Sequence, residues 1–304
     1  MTEYLVGTGG WSYFTIPTKP SLKAYSENFN YVEVNSTFYK YPPLRTIERW
    51  RRIVPSDFVF TVRCHHELTH TIGLKPVDAA YTALSRMIGI CRILEAPFLH
   101  LLTPASHSLD RSNLEEARNL FSSINLKGVR LAWEVRGPTT SELAALMQDL
   151  DIIDSVDVSR EKPSWESDAL YTRVFGKGKR NVYQFTDEEL VEIDHRIMTA
   201  QTKTAIVAYH GIRMSTDALR FKKYKETGKF LPVTAFTGVE SAKAVLLEDA
   251  KFPSTKADLI EGQGWKVIDF TANKRIHLSN LLAEIPEKTY SNISEVIKEL
   301  EFLQ

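Results

Sequence analysis

The sequence lacks a surplus of charge of either sign. Its 304 residues include 38 Lys and Arg and 38 Asp and Glu, so the formal net charge at pH 7 is zero. A protein that held nucleic acid by its overall charge would be expected to be basic. The balance disfavours that class of protein, although it leaves a local basic groove open.

Cysteine is scarce, and long hydrophobic runs are missing. The two cysteines, Cys64 and Cys91, form no Cys-x-x-Cys motif and give no sign of a disulfide framework. No apolar run approaches the ~18–20 residues of a membrane span, and the first residues lack the basic and apolar regions of a signal peptide. We therefore expect a cytoplasmic protein that does not enter a membrane.

Short apolar runs alternate with helical patterns over the first three-quarters of the chain. Strands are predicted near 4–8, 31–36, 58–63, 98–102, 129–135, 153–158, 169–175 and 204–210. Helices are predicted at 21–28, 45–53, 76–94, 113–123, 140–149 and 187–200. Eight strands with helical crossovers favour a closed (β/α)₈ barrel, the TIM-barrel fold, over an open sheet. Residues 159–168 are too rich in turn residues for a crossover helix, so we expect an irregular barrel there.

The regular alternation of predicted strands and helices ends at about residue 225. Helical pieces are predicted near 239–249, 255–262, 276–284 and 293–302, with one strand at 265–270. We assign a TIM-barrel domain to residues 1–225 and a small α-rich appendage to 226–304, with the basic run 220–229 as the linker. Helix starts with the capping-box spacing, in which Glu follows a Thr or Asn by three residues, are predicted at Asn113, Thr139, Thr186 and Asn292.

Residues 31–43 are the most informative segment. Two valines alternate there with Glu33 and Asn35, which is the period of a strand with one apolar and one polar face. An unpaired buried carboxylate is expensive, so Glu33 on an inner face needs a partner or a function. Polar residues up to Tyr39 crowd the C-terminal end of this strand, where parallel α/β folds bind ligands.

Strand alternation selects further inward residues. On the fifth strand Ala132, Glu134 and Arg136 share one face, with the small residue low and the charges high. The same parity selects residues on the third, sixth, seventh and eighth strands: Thr61, Arg63, Asp157, Tyr171, Arg173 and His210. The mouth would hold three carboxylates, of Glu33, Glu134 and Asp157, against three arginines, Arg63, Arg136 and Arg173. A structural ion-pair network is the alternative, but its place at one end of a barrel favours a functional pocket.

Several segments together resemble the YecE-like family, a domain-of-unknown-function family with a TIM-barrel fold. They include Gly-Thr-Gly-Gly-Trp-Ser-Tyr at 7–13, Val-Glu-Val-Asn-Ser-Thr-Phe-Tyr at 32–39, Trp-Glu-Val-Arg at 133–136, and pieces at 49–60, 68–70 and 170–176. The resemblance implies the barrel and a polar pocket at its C-terminal face, and it supplies no reaction. The chain departs from the family's pattern at three mouth positions: Leu102, Phe175 and His210 stand where the family usually has Gln, His and Asn.

An arginine-rich mouth suits an anion, because guanidinium groups bind phosphate or carboxylate in a bidentate way. Residues 176–180 add Lys177 and Lys179 after the seventh strand, where TIM barrels often bind phosphate. The substrate-binding candidates are therefore Trp11, Asn35, Tyr39, Arg63, Arg136, Arg173, Lys177 and Lys179. Glu33 and Glu134 are the candidates for proton transfer, and Asp157 would orient a partner. His70 and His210 are second-rank catalytic candidates.

The sequence thus predicts an enzyme, a hydrolase or an isomerase, that acts on an anionic, phosphate-bearing small molecule or a nucleic-acid fragment. Two other functions stay open. The carboxylates with His70, His210 and one of His65 and His66 would bind a divalent metal for phosphoester hydrolysis, although no tight ligand spacing is present. Alternatively the protein binds nucleic acid without chemistry, through the mouth and the basic and aromatic run 220–229. No cofactor is required by the sequence.

Overall fold

The fold is described by a computed structural model that covers residues 2–15 and 17–302. These residues form two compact units. The first contains the residues up to Val174 together with His195–Tyr209, and the second contains Phe175–Asp194 together with the residues from His210 onward. The predicted domain boundary between residues 225 and 226 stays a prediction.

Eight parallel strands build the described part of the first unit. They are β1 (Glu3–Thr8), β2 (Tyr31–Val34), β3 (Val59–Arg63), β4 (Phe98–Thr103), β5 (Arg130–Val135), β6 (Ile153–Asp154), β7 (Ala169–Val174) and β8 (Thr204–Tyr209). Five strands pair in the order β2-β3-β4-β5-β6 and three in the order β1-β8-β7. This is the strand order of a (β/α)₈ barrel, so the irregular TIM-barrel-type fold is confirmed.

The hydrogen-bonded sheet is not closed, which corrects the expectation of a closed barrel. Strand β6 has only two residues, and a single bridge beyond its end, Val156 with Thr172, stands in place of a ladder to β7. Between β1 and β2 the Tyr25 hydroxyl takes the place of a ladder bond. It accepts from the Thr8 N–H at 2.9 Å and donates to the Tyr31 carbonyl at 3.0 Å.

Helices follow most of these strands. They are α1 (Ser21–Ser26), α2 (Leu44–Ile53), α3 (Asp78–Leu94), α4 (Arg111–Ser122), α5 (Ser141–Asp149) and α6 (Asp187–Thr199). Their bounds agree closely with the predicted helices. Residues 159–168, all of which the structure describes, contain no helix, as expected.

The predicted helix caps are confirmed at Thr186 and wrong at two earlier helices. The Thr186 N–H bonds to Glu189 at 3.1 Å, and the Glu189 N–H bonds back to the Thr186 hydroxyl at 3.3 Å. Helix α4 begins earlier than predicted, because the Asp110 carboxylate caps it. Helix α5 is capped by Thr140 rather than by its neighbour Thr139, since the Thr140 hydroxyl accepts from the Leu143 N–H.

Alternate strand positions fill the interior of the first unit. The buried cluster consists of Leu5, Tyr31, Ala132, Ile153, Ala169, Tyr171, Ile206 and Ala208. Ala132 and Tyr171 therefore lie inside, as the strand parity predicts. Trp133 has the opposite parity, and its ring packs 5.7 Å from that of Phe121 on α4. The same alternation places Glu134 above Ala132, towards the C-terminal end of β5.

The second unit is rich in helix and has its own apolar core. Its further elements are α7 (Met214–Thr227), α8 (Gly238–Asp249), β9 (Ser254–Thr255), α9 (Lys256–Gln263), β10 (Val267–Thr271), β11 (Lys274–His277), α10 (Leu278–Leu282), β12 (Thr289–Tyr290) and α11 (Ile293–Glu301). Its core includes the fully buried Ala242, Ile268, Leu278, Leu282, Tyr290 and Val296. Asn292 caps α11 as predicted. The strands pair as two short antiparallel ribbons, β10 with β11 and β9 with β12, of which only β10 was predicted.

Most of the predicted linker, residues 220–229, lies in helix α7. Arg220 is 1% exposed and pairs with Asp187 at 2.7 Å and with Asp217 at 3.0 Å. Lys225 lies 2.7 Å from Asp194. Two of the basic residues are thus neutralised by acids of the same unit.

None of the described helices is long and apolar enough to cross a membrane.

Candidate functional site

Arg173 is the centre of a charged cluster at the C-terminal ends of the strands of the first unit. It lies on β7 two residues after Tyr171, so strand alternation turns it into the barrel. Its Nε lies 3.2 Å from Glu33 Oε2, and its guanidinium lies 2.6 Å from Glu134 Oε2. Glu33 is fully buried and Arg173 is 2% exposed. The mouth therefore brings together a β2 acid, a β5 acid and a β7 arginine, as the sequence predicts.

Glu33 also stands at the top of a chain of hydroxyl groups. The Tyr171 hydroxyl donates to Glu33 Oε2 at 2.9 Å and lies 2.7 Å from the Thr61 hydroxyl. The Thr61 hydroxyl in turn lies 3.0 Å from that of Tyr31. Burial and the charge of Glu33 raise the pKa of Tyr171 well above its ordinary value. Tyr171 therefore stays a neutral hydrogen-bond donor to the carboxylate.

Glu134 is held in its ionised form. Burial by itself raises the pKa of this carboxyl, but Arg173, His100 and Arg136 outweigh it and hold the pKa well below its usual range. The Arg136 Nε donates to Glu134 Oε1 at 2.6 Å, and the Arg136 side chain is 49% exposed. Glu134 thus links the buried Arg173 to an arginine at the rim of the mouth.

His100 is a member of the cluster that the sequence interpretation missed. It lies on β4, fully buried, with Nε2 3.3 Å from Glu134 Oε2. Burial and the charge of Arg173 lower the pKa of His100, so its imidazole is neutral at pH 7. Neither ring nitrogen has a hydrogen-bond partner among the described residues. Strand alternation could have identified His100, since it precedes the inward-facing Leu102 by two residues and therefore shares its face.

Arg63 differs from Arg173, because it has no carboxylate partner among the described residues. The side chain is buried at the end of β3, and the residue is 7% exposed. It donates to Asn35 Oδ1 at 2.6 Å, and its guanidinium carbon lies 3.7 Å from the centre of the Phe38 ring. Within residues 2–15 and 17–302, no acid reaches ion-pair distance of Arg63, and its buried Nε has no hydrogen-bond partner. Burial and then the charge of Arg173 lower the pKa of Arg63.

A short turn after β2 positions the partners of Arg63. Residues Asn35–Phe38 form one 3₁₀ turn. Thr37 anchors it, because its hydroxyl lies 2.7 Å from the Val34 carbonyl and 2.6 Å from the Arg63 carbonyl. Asn35 and Phe38 are thereby held against the guanidinium. Tyr39, at the end of the turn, is 67% exposed.

His70 reaches this cluster through Phe38. The two rings lie 5.2 Å apart in an edge-to-face contact, and His70 Nδ1 lies 2.8 Å from the Thr69 hydroxyl. Burial, followed by the charges of Arg63 and His66, lowers the pKa of His70. His65 stacks on Tyr41 at 4.1 Å and on His66 at 4.5 Å. The histidines of this segment are thus packed with aromatic side chains.

Asp157 lies beyond the strand that was predicted to carry it. Strand β6 ends at Asp154, so the predicted strand 153–158 is too long. The Asp157 carboxylate accepts from the Ser159 N–H at 2.9 Å and from its hydroxyl at 2.6 Å. In the same segment, burial and then the charges of Asp154, Asp157 and Glu134 raise the pKa of Glu161. The catalytic role of Asp157 stays a prediction.

Trp11 contacts helix α2 rather than a residue of the charged cluster described above. Its ring meets that of Trp50 edge to face, with centroids 5.1 Å apart. Trp11 follows β1 at the C-terminal end of the strand, and Trp50 lies on α2.

Three predicted site residues belong to the second unit. The His210 ring lies 5.0 Å from that of Phe175, and Lys177 Nζ lies 3.2 Å from Glu189 Oε1. Lys179 is exposed at the start of a short turn, Lys179–Asn181. Their membership of the site stays a prediction.

The charged side chains at the mouth are arranged as ion pairs. Across residues 2–15 and 17–302, no three His, Cys, Asp or Glu side chains are grouped so as to hold a metal ion. Both Glu33 and Glu134 are instead paired with Arg173. Each of the two carboxylates is therefore engaged by an arginine.

Fold and site together define a (β/α)₈-type protein with an arginine–carboxylate cluster at the C-terminal ends of its strands. The chain belongs to the family described as protein of unknown function DUF72, whose model matches residues 5–229. It is similar to the UPF0759 protein YunF of Bacillus subtilis (strain 168), with 30% identity over 102 residues. That match covers 31% of this chain and 35% of the relative.

Two solved structures share the fold. A DUF72 family protein of Thermotoga maritima MSB8 is 23% identical, with a TM-score of 0.61 over 74% of this chain and 99% of that chain. A DUF72 family protein of Enterococcus faecalis V583 is 15% identical, with a TM-score of 0.58 over 74% of this chain and 98% of that chain. At these identities the likeness shows the fold alone.

Proposed function

We propose that this protein is an enzyme that binds an anionic, phosphate-bearing small molecule at the mouth of the barrel. The observation that carries the proposal is Arg63, a buried cation without a carboxylate partner among the described residues. Burying a charge without a partner costs on the order of several kcal/mol of folding free energy, because the ion loses its hydration. An anionic ligand would supply the missing partner.

The surroundings of Arg63 suit a ligand more than a structural role. Asn35 and Phe38 hold the guanidinium in place at 2.6 Å and 3.7 Å, but neither neutralises it. A guanidinium that rests on an aromatic face keeps its in-plane N–H groups for an anion. Arg136, half exposed at the rim, is the second cation that such a ligand would meet.

The acids of the mouth supply the groups for proton transfer in this proposal. Glu134 is held ionised by a lowered pKa and is therefore an acceptor at neutral pH. Neutral His100, with Nε2 3.3 Å from Glu134 Oε2, is the candidate for a second proton-transfer group of the cluster. Glu33 keeps Arg173 in place and receives the hydrogen bond of Tyr171. These contacts support a hydrolase or an isomerase equally, and the name YecE-like stays a resemblance of the sequence motifs.

Non-catalytic nucleic-acid binding loses part of its support. The run 220–229 was its second contact surface, but Arg220 is buried and Lys225 is paired with Asp194. The metal-dependent phosphoesterase would need carboxylates that are paired with Arg173. Elemental analysis of protein purified without chelator tests it, and a stoichiometric divalent metal would favour it over the proposal.

The proposal is tested by calorimetric titration of inorganic phosphate and a panel of sugar phosphates. We expect the protein to bind phosphate and Arg63→Met to bind it at least about tenfold more weakly, since charge-assisted hydrogen bonds contribute about 1.5–3 kcal/mol. Arg92→Met, an exposed arginine of helix α3, is the matched control and should bind as the wild type does. Equal phosphate affinity of Arg63→Met and wild type would contradict the assignment of Arg63. Turnover of a bound sugar phosphate that is lost in Glu134→Gln would support the enzyme.

A further inference from the structure

A cleft of about 330 Å³ lies in the first unit between the loop after β1 and helices α1 and α2. Its walls include Trp11, Leu22, Arg45, Arg49, Trp50 and Ile53. Sites for small molecules usually have volumes of about 300–1,000 Å³, so this cleft suits one small ligand. None of the contacts described above for the Arg173 cluster involves a residue of this cleft.

Two features of the cleft point to its ligand. The first is aromatic: Trp11 and Trp50 are both only partly buried, with ring centroids 5.1 Å apart. Indole rings stack well on the flat face of a nucleic-acid base. The apolar side chains of Leu22 and Ile53 extend this surface.

The second feature is a pair of arginines whose side chains have no partner among the described residues. Arg45 and Arg49 are exposed, and neither has an ion pair or hydrogen bond from its side chain within the described part of the chain. They lie four residues apart on α2, which places both on one face of the helix. Two adjacent guanidinium groups suit a phosphate group.

We propose that this cleft binds a nucleoside monophosphate, with its base against Trp11 and Trp50 and its phosphate held by Arg45 and Arg49. The combination of aromatic rings and arginines selects a ligand that carries both a flat ring and an anion. The volume admits one nucleotide rather than several. The inference does not rest on the anion site of Arg63, since the two sites share none of these residues.

The experiment is a titration of adenosine 5′-monophosphate followed by tryptophan fluorescence. We expect saturable quenching, because the base stacks on indole rings. Adenosine, which lacks the phosphate, and ribose 5-phosphate, which lacks the base, should each bind at least about tenfold more weakly. Equal affinity for ribose 5-phosphate and the nucleotide would overturn the assignment of the base to the tryptophans.

Matched variants test whether nucleotide binding depends on the arginines of the cleft or on the general positive charge of the helix. The double variant Arg45→Ala/Arg49→Ala should lose about tenfold or more in affinity for the nucleotide. Arg52→Ala changes an exposed arginine of the same helix that does not line the cleft, and its affinity should be unchanged. An equal loss in both variants would show general charge attraction and overturn the proposal.

Two further titrations complete the test. Arg63→Met should keep the quenching, whereas it loses phosphate binding at the mouth, so the failure of either proposal is distinguishable from that of the other. A short single-stranded oligonucleotide that binds while the mononucleotide gives no quenching would overturn the proposal. The absence of quenching by the mononucleotide at millimolar concentration would overturn it as well.

Discussion

Arg63 and Arg173 share one electrostatic environment, but only Arg173 is neutralised. The charge of Arg173 contributes to the lowered pKa of Arg63, while Arg173 itself is paired with Glu33 at 3.2 Å and Glu134 at 2.6 Å. The two arginines therefore have opposite expected effects on stability. Arg173 completes a buried ion-pair network, whereas Arg63 is a buried charge without a carboxylate partner among the described residues.

Replacing Arg173 should be far more harmful than replacing Arg63. Arg173→Met leaves two carboxylates without their shared partner, and breaking a buried pair costs about 3–5 kcal/mol. Arg63→Met removes a charge without a carboxylate partner and should leave the free energy of unfolding unchanged or higher. Urea denaturation of both variants measures the difference. Equal losses of stability would show that Arg63 is a structural cation.

Glu134 should make the protein sensitive to acid. Its pKa is lower in the folded protein than the ordinary value of 4.5, so the unfolded state binds the proton first as the pH falls. The contribution of Glu134 is therefore complete above about pH 4.5 and is lost as the pH falls below it. Glu134→Gln should flatten the pH dependence of the free energy of unfolding there by up to about 1.4 kcal/mol per pH unit.

The exposed Glu115 supplies a control for this prediction, since its side chain is 67% exposed. Glu115→Gln should leave the acid limb of the stability curve close to that of the wild type. A Glu134→Gln variant with the same acid dependence as the wild type would contradict the ionised state of Glu134.

Asp217 should have the opposite pH dependence. Burial raises the pKa of Asp217 to about 7, in spite of the nearby Arg220. The folded protein then holds a proton that the unfolded chain releases near pH 3.8, so stability should fall as the pH rises from about 4 to 7. Asp217→Asn should remove this fall, about 1.4 kcal/mol per pH unit at most. A fall that persists in the variant would contradict the raised pKa.

Two glycines should respond in opposite ways to alanine. A Cβ on Gly7 would overlap the Tyr31 carbonyl and lie 2.8 Å from the Tyr25 hydroxyl, at the seam between β1 and β2. Gly7→Ala should cost at least about 2 kcal/mol by overpacking. Gly89, inside α3, has no atom within 4 Å of an added Cβ, so Gly89→Ala should stabilise by up to about 1 kcal/mol. Thermal unfolding of both variants measures this, and a harmless Gly7→Ala would contradict the close approach.

The charged mouth was predictable because strand alternation is local. Glu33, Glu134 and Arg173 needed only the period of two and the rule that ligands meet the C-terminal ends of barrel strands. His100 escaped because it stands in an otherwise apolar run at 98–102, where periodicity alone does not separate an inward polar residue from core.

Other features depend on contacts between distant parts of the chain. The sequence pattern places Arg220 in a solvated linker. Its partner Asp187 lies 33 residues away along the chain, so the pattern around Arg220 does not show the pairing. It places Trp11 in the mouth because Trp11 follows β1, but the packing of α2 brings Trp50 against it. Neither contact leaves a periodic signal in the sequence.

The central claim, that Arg63 is the buried cation of an anion-binding site, is tested most directly by the effect of phosphate on stability. The free energy of unfolding should be measured in urea, with and without inorganic phosphate, for the wild type and for Arg63→Met. Phosphate at about 100 times the wild-type dissociation constant should stabilise the wild type by about 2.7 kcal/mol, and Arg63→Met, which binds at least about tenfold more weakly, by about 1.4 kcal/mol or less. Equal stabilisation of both proteins, or of neither, would contradict the claim.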